Sequence, residues 1–546
     1  MTLPDPKPTA CRSGWSRPVL GSMCLAAILA LSACTVGPDA QAPAAASPPD
    51  WQAWRGGDAS LRELSGVADR AGATPIEEAA VFDDPVLRGL QARVLAANSD
   101  LQTAALRFAQ ARMQRLTVAA QRGPQVGLGA SVSRQRQSEY GTATRLLDAV
   151  APPGSRDELV KVLAEPHNVY ETGFDASWEI DLWGRVRRSI ESADASVAAS
   201  GATLADVRLS VLAEMARAYF ELRSVQDQAG LLRDDIAASD EALSLVSARA
   251  RGGLVDGFDV VRQQALVDDL RSRLPQLLEQ EAQSAARITL LAGLRPGELN
   301  AELAPRAAPY DAREASSSMP PSLSLGLPAT LALRRPDIQA ALANLHAATA
   351  DIGVAIADLY PRITLGAAFG MESVSDGHFG EWGSRQWRIG PSLDLPIFDQ
   401  GRRRATVALR RLQEQEAAVS YQHTVLEAWH EIDTALAGYA AERQRHEALV
   451  GKLQASAQSH ELAEASYVNG LTDFLSALDA RRGLIQTRRD LAQSRGALAI
   501  RLVALRKSLG GTGDWIAQEA AREQGAGVTQ LSQPTHPDAH PASPLR

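Results

Sequence analysis

Two hydrophobic rhythms alternate along this chain. In 174–182 the apolar residues Phe174, Ala176, Trp178, Ile180 and Leu182 take every second position, and Asp175, Ser177, Glu179 and Asp181 fill the others. That period of two predicts a strand with one apolar and one polar face. Val126, Leu128, Ala130 and Val132 repeat it, as do Ile363, Leu365, Ala367 and Phe369, and Trp387, Ile389, Leu393, Leu395 and Ile397 complete four predicted strands. From Leu204 the rhythm changes to spacings of three and four, through Val207, Val211, Met215, Ala218, Leu222, Val225, Ala229, Leu232, Ile236, Ser239, Leu243, Val246 and Ala250. This is the seam of a coiled coil. A helix from near Gly184 to near Arg251 would be about 100 Å long at 1.5 Å per residue. The 3-4-4 step through Val207, Val211 and Met215 predicts a locally straightened or reversed supercoil. Leu426, Trp429, Ile432, Leu436 and Tyr439 form the equivalent stripe later in the chain.

The two rhythms recur because the chain is duplicated. GPQVGLGASVS (123–133) aligns with YPRITLGAAFG (360–370) at an offset of 237, with Pro124 on Pro361 and Gly129 on Gly366. WEIDLWGRVRR (178–188) aligns with LPIFDQGRRRA (395–405), and RGGLVDGFDVV (251–261) with VNGLTDFLSAL (468–478), both at 217. The change of offset gives the first copy 20 extra residues between Ser133 and Tyr170, a polar segment with Gly and Pro that reads as a long loop. The expected organisation is a signal peptide (1–33), a tether (34–80), a first repeat (81–294), a connection (295–330), a second repeat (331–509) and a disordered tail (510–546).

A strand of about 9–11 residues with one apolar and one polar face suits a membrane barrel with a wet lumen. A soluble half-buried hairpin gives the same alternation strand by strand. Trp178, Trp183, Trp382 and Trp387 lie in or beside the predicted strands, where an aromatic girdle would sit. Barrels need about eight strands or more, so four per chain require several chains.

Composition narrows the class. With 45% hydrophobic and 22% charged residues, 546 residues can bury a large core, and a net charge of -8 argues against a nucleic-acid partner. No GxSxG, GxxxxGK[ST] or HExxH is present, so no enzyme is predicted. His423, Glu427, His430 and Glu431 share a helical face by spacing and have the donors for a metal, but the pattern favours a solvated polar face over a metal site. At the N-terminus Lys7, Arg12 and Arg17 precede the 13 apolar residues Val19 to Leu31, an export signal too short to span a bilayer. Leu31-Ser32-Ala33-Cys34 resembles a bacterial lipobox, whose cysteine is acylated and becomes the new N-terminus; a plain signal peptide with an incidental cysteine is the alternative. Cys11 and Cys24 would leave with the signal, so Cys34 would be the one mature cysteine and no internal disulfide could form. By the same resemblance, Thr35 in place of an aspartate directs the lipoprotein to the outer membrane.

The lipobox followed by VGPD, ASWEIDLWGRVRR, LALRRPDIQAA (331–341), YPRITL and NGLTDFLSALDA (469–480) together resemble the TolC-like outer membrane efflux factors, specifically the OprM/NodT-like lipoprotein branch. The likeness runs from Cys34 to Leu509. It implies an α+β membrane protein: a homotrimer whose four strands per chain make a 12-stranded outer-membrane barrel, continued by a long coiled-coil periplasmic tunnel. It implies no cofactor beyond covalent lipid on Cys34, and as partners outer-membrane lipid, a periplasmic adaptor and an inner-membrane pump, commonly of the resistance-nodulation-division type. An exit duct for protein secretion or metal efflux uses the same parts, and a coiled-coil lipoprotein scaffold or adhesin would lack the membrane strands.

Gly253-Leu254 and Gly470-Leu471 fall where the long helices must reverse, and glycine permits the positive φ of such a turn. The resemblance makes these tips the adaptor contacts. Asp256, Asp259, Asp473 and Asp479 follow, and in a threefold assembly any that face the axis form a ring of carboxylates. The family's pore-closing acids match Ser476 and Asp479, so one of the two acids is retained. Arg185, Arg187 and Arg188, and Arg402 to Arg404, start the long helices, where the dipole disfavours cations; Asp181 and Asp399, or lipid phosphates, are expected to compensate.

Overall fold

The computed structural model describes residues 35–41, 56–62, 84–145, 147, 152, 154–306 and 335–511. Cys34, the expected signal, most of the tether, the connection past Arg306 and the tail past Gly511 lie outside the described residues. The main elements are α1 (Pro85–Ala97), α2 (Ser99–Ala119), β1 (Gln125–Gln135), α3 (Arg156–Ala164), β2 (His167–Glu179), α4 (Arg185–Arg251) and α5 (Gly257–Leu291), followed by α6 (Pro336–Ala357), β3 (Arg362–Ser373), β4 (Arg385–Asp394), α7 (Arg402–Val468) and α8 (Phe474–Ser508). The duplication is kept to the residue in the helices: α4 and α7 have 67 residues each, and α5 and α8 have 35 each.

Two compact units emerge among the described residues, and each draws on both copies: 35–41, 109–198 and 342–419 in the first, and 56–62, 84–108, 199–306, 335–341 and 420–511 in the second. The first unit holds an antiparallel sheet in the order β1-β2-β3-β4. Its register lines up Leu128, Phe174, Phe369 and Trp387 in one row and Val126, Ala176, Ala367 and Ile389 in another. The opposite face carries rows such as Gly129, Gly173, Gly370 and Gln386, and Gly127, Asp175, Ala368 and Arg388. Leu128, Phe174, Phe369, Trp387 and Ile389 are all exposed, so among the described residues the apolar face has no protein core behind it. Gly173 and Gly370 let two central strands approach closely; a Cβ on either would come within 2.9 Å of the other's Cα.

The structure corrects three details. β2 ends at Glu179 and β4 at Asp394, short of the predicted Leu182 and Ile397. The cause on the first copy is Asp181, whose carboxylate accepts the N–H groups of Val186 (3.0 Å) and Arg187 (2.9 Å) and so begins α4. The 20-residue excess is not all loop, because α3 forms within it and buries Val160 and Ala164.

The second unit is helical. The predicted seam is its core: Val211, Met215, Ala218, Leu222, Val225, Ala229, Leu232, Ser239 and Val246 are buried on α4. Leu87, Leu90 and Val94 of α1, Ile288 of α5 and Val503 of α8 pack with the upper part of that seam. On α7 the buried stripe is Tyr421, Val425, Ala428, Ile432, Leu436 and Tyr439, whereas the predicted Leu426 is 50% exposed. A three-and-four pattern admits two neighbouring stripes here, and packing selected the one with the small Ala428, which permits a closer helix approach.

Candidate functional site

The hairpin tips are built alike in both copies. Leu254 N–H donates to Arg249 O and Gly253 N–H to Ala250 O; Leu471 N–H donates to Ser466 O and Gly470 N–H to Tyr467 O. This paired bonding closes a helix through a left-handed glycine, and Gly253 and Gly470 have φ of 71° and 73°. The following leucines cover nothing: Leu254 is 76% and Leu471 78% exposed. Behind the turns the two hairpins join, with Phe474 and Leu478 packing beside Val246, Leu266 and Leu270, and the Arg249 guanidinium lying 5.1 Å from the centroid of the Tyr467 ring.

The candidate aperture acids divide. Asp256 caps α5 by accepting Phe258 N–H (3.4 Å), and Asp473 caps α8 by accepting the N–H (3.0 Å) and hydroxyl (2.6 Å) of Ser476. Those two bonds from Ser476 hold the Asp473 carboxyl below the ordinary carboxylate range. Ser476 is thus committed to the cap, while Asp479 stands exposed on the next turn and Asp259 is half-buried in the first turn of α5. The pattern that suggested a ring of acids therefore includes two residues with a structural task.

Sequence reasoning missed a charged layer behind the tips. Asp235 on α4 faces Arg488 (3.9 Å) on α8, with Arg481 nearby, and burial pushes Asp235 up to about 6. It also missed the chemistry of the RRPD motif. Arg335 donates to Asp337 (3.1 and 2.7 Å), Glu431 (2.8 Å) and Ser508 O (2.6 Å). Asp337 lies within the motif itself, whereas Glu431 and Ser508 lie 96 and 173 residues away, where no local pattern announces them. Glu431 is engaged there, His423 and Glu427 form an exposed pair at 3.2 Å, and no group of three or more metal-ligating side chains converges among the described residues.

In the first unit the helix-start cations meet strand and loop acids. Arg185 forks onto Glu179 (2.8 and 2.7 Å), Arg187 lies 3.4 Å from Asp181, and Arg403 lies 3.6 Å from Asp399. Asp399 also accepts the N–H of Arg403 (3.3 Å), as Asp181 does on the first copy. The acids cap the helices and offset the cations together.

A sheet with an uncovered apolar face and a polar, glycine-lined face, joined to 67-residue helices that end in exposed tips, defines a membrane channel protein of the outer-membrane class. The sequence model of the outer membrane efflux protein family matches residues 90–294 and 327–511, and the chain belongs to that family. Outer membrane protein OprJ of Pseudomonas aeruginosa is 30% identical over 501 residues, covering 91% of this chain and 97% of that protein. The toluene efflux pump outer membrane protein TtgF of Pseudomonas putida is 31% identical over 506 residues, covering 92% and 98%. The solved outer-membrane channel OprN superposes with a TM-score of 0.74 at 32% identity, over 88% of this chain and 99% of that one. This chain is an outer-membrane efflux channel protein that extends into the periplasm.

Proposed function

We propose that three copies of this chain close a 12-stranded barrel and form the passive exit duct of a tripartite efflux system. A periplasmic adaptor and an inner-membrane pump of the resistance-nodulation-division type would deliver small molecules to it. The observation that carries this reading is the open four-stranded sheet: β1 and β4 each pair with one neighbour among the described residues, and the apolar face has no core. Such edges and such a face need further strands and lipid. The chain acts without catalysis, and the pump supplies the energy. Cys34 carries the covalent lipid, Gly253, Leu254, Gly470 and Leu471 meet the adaptor, and Asp259 and Asp479 are the acids left free to line the aperture. Relatives carry names of toluene and other solvent efflux pumps, which supports small apolar cargo.

Purified protein in a planar bilayer is expected to give single-channel currents, with a solubilised mass of three chains. A monomeric mass with no currents would remove the duct. At the tips, Leu254→Asp and Leu471→Asp are expected to leave currents and assembly intact while abolishing adaptor capture and solvent or drug resistance. Unchanged resistance in the double variant would show that the tips are simple helix turns.

A further inference from the structure

We infer that Arg188 is the positioning residue of the lipid anchor: it clasps the segment directly after Cys34 to the start of α4, so that the acyl chains leave the protein at the strand-to-helix junction. The inference rests on the reading of Cys34 as acylated.

Residues Thr35 to Gln41 form a short stretch with no regular secondary structure, yet hydrogen bonds tie it down at Val36, Gly37 and Asp39. Val36 N–H donates to Trp183 O (3.2 Å). Arg188, whose side chain is 5% exposed, donates from Nε to Val36 O (3.3 Å) and from Nη2 to Gly37 O (3.4 Å) and to the Asp39 carboxylate (2.7 Å). Its Nη1 donates to Glu191 (2.8 Å), which also faces His346 Nε2 (3.0 Å). A buried guanidinium is costly unless its donors are filled, and this one fills them with the carbonyls and carboxylate of the VGPD segment.

Glycines make room for the clasp. Gly37 has φ of 102°, and a Cβ there would lie 2.5 Å from Gly353 Cα; a Cβ on Gly353 would lie 2.8 Å from Arg188 Cγ. Gly184, with φ of 80°, would bring its Cβ 2.7 Å from Thr35 Cγ2. The segment therefore lies against the junction with no space for a side chain between. Whatever is bonded to the nitrogen of Thr35 is held to the junction within the reach of one peptide, about 3.8 Å between Cα atoms. Beside it, Trp183 stacks on Tyr360 at 4.8 Å, an aromatic pair suited to the membrane interface. The clasp thus puts acyl attachment where the apolar face of the sheet begins, instead of on a free tether.

The test uses the full-length protein in liposomes with a spin label on Gln41→Cys, an exposed position in a mature chain whose other cysteine is acylated. Palmitate incorporation and single-channel currents are followed in parallel. The label is expected to move slowly in the parent and several-fold faster in Arg188→Ala, with palmitate incorporation and currents retained. Gly37→Val, which leaves α4 untouched, is expected to free the label equally, and Arg188→Lys, which keeps the charge and loses the fork, to give an intermediate. Equally slow motion in Arg188→Ala and Gly37→Val would overturn the clasp. A slow label without palmitate incorporation in the parent would instead refute the acylation, and with it the positioning role.

Discussion

Phe369→Arg is expected to remove the channel from the outer membrane, whereas Ala368→Arg, one residue away, is expected to assemble normally. Phe369 lies between Phe174 and Trp387 in the apolar row, on a central strand. Ala368 lies between Asp175 and Arg388 on the polar face. An arginine on the lipid face near the bilayer middle costs about 2–4 kcal/mol, and a trimer incurs that cost in each chain. The same side chain on the lumen face stays in water, beside the carboxylate of Asp175. Heat-modifiable oligomers in outer-membrane fractions and bilayer currents report the outcome. Ala368→Arg should change conductance or ion selectivity while leaving oligomer yield at the parent's level. Equal insertion of both variants would mean that the sheet does not face lipid, and the barrel reading would fall.

That contrast was legible in the sequence because a period of two assigns faces without any knowledge of partners. The offset of 217 was equally informative, since Gly253 and Gly470, aligned by it, prove to close identical turns. Legibility stopped where choice depends on what packs nearby. Leu426 and Ala428 are both plausible seam positions by spacing, and only the neighbouring helices decide between them. Asp256 and Asp473 have the composition of pore acids, yet their place just before a helix gives them a capping task. In the sequence Arg188 is one cation among three facing an unfavourable dipole. Its partners Val36, Gly37 and Asp39 lie about 150 residues earlier in the chain, which a local reading cannot join.

Arg335→Ala carries the second large effect, a loss of stability that acid partly restores. Arg335 neutralises Asp337 and Glu431 and binds Ser508 O, and Asp206 lies in the same cluster with Lys507. Burial, then the charge of Asp337, raises the Asp206 carboxyl, while Lys507 and Arg335 pull it down. Breaking a buried pair by removing one partner costs about 3–5 kcal/mol; the half-exposed Glu431 puts this case toward the lower end, about 3 kcal/mol. The sign of the pH effect follows from linkage. A carboxyl raised in the folded state binds its proton more tightly there, so stability falls as pH rises from the ordinary carboxylate value through the raised one. Without Arg335, Asp206 rises further and the window extends upward. Heat dissociation of the oligomer and hydrogen exchange of α6 should therefore show the deficit at pH 7.5 and a smaller one at pH 5. Arg335→Lys should fall between parent and alanine, because it keeps the charge but cannot fork onto Asp337 while reaching Ser508. If Arg335→Ala matched the parent at neutral pH, the buried network would be dispensable and the RRPD motif would need another explanation.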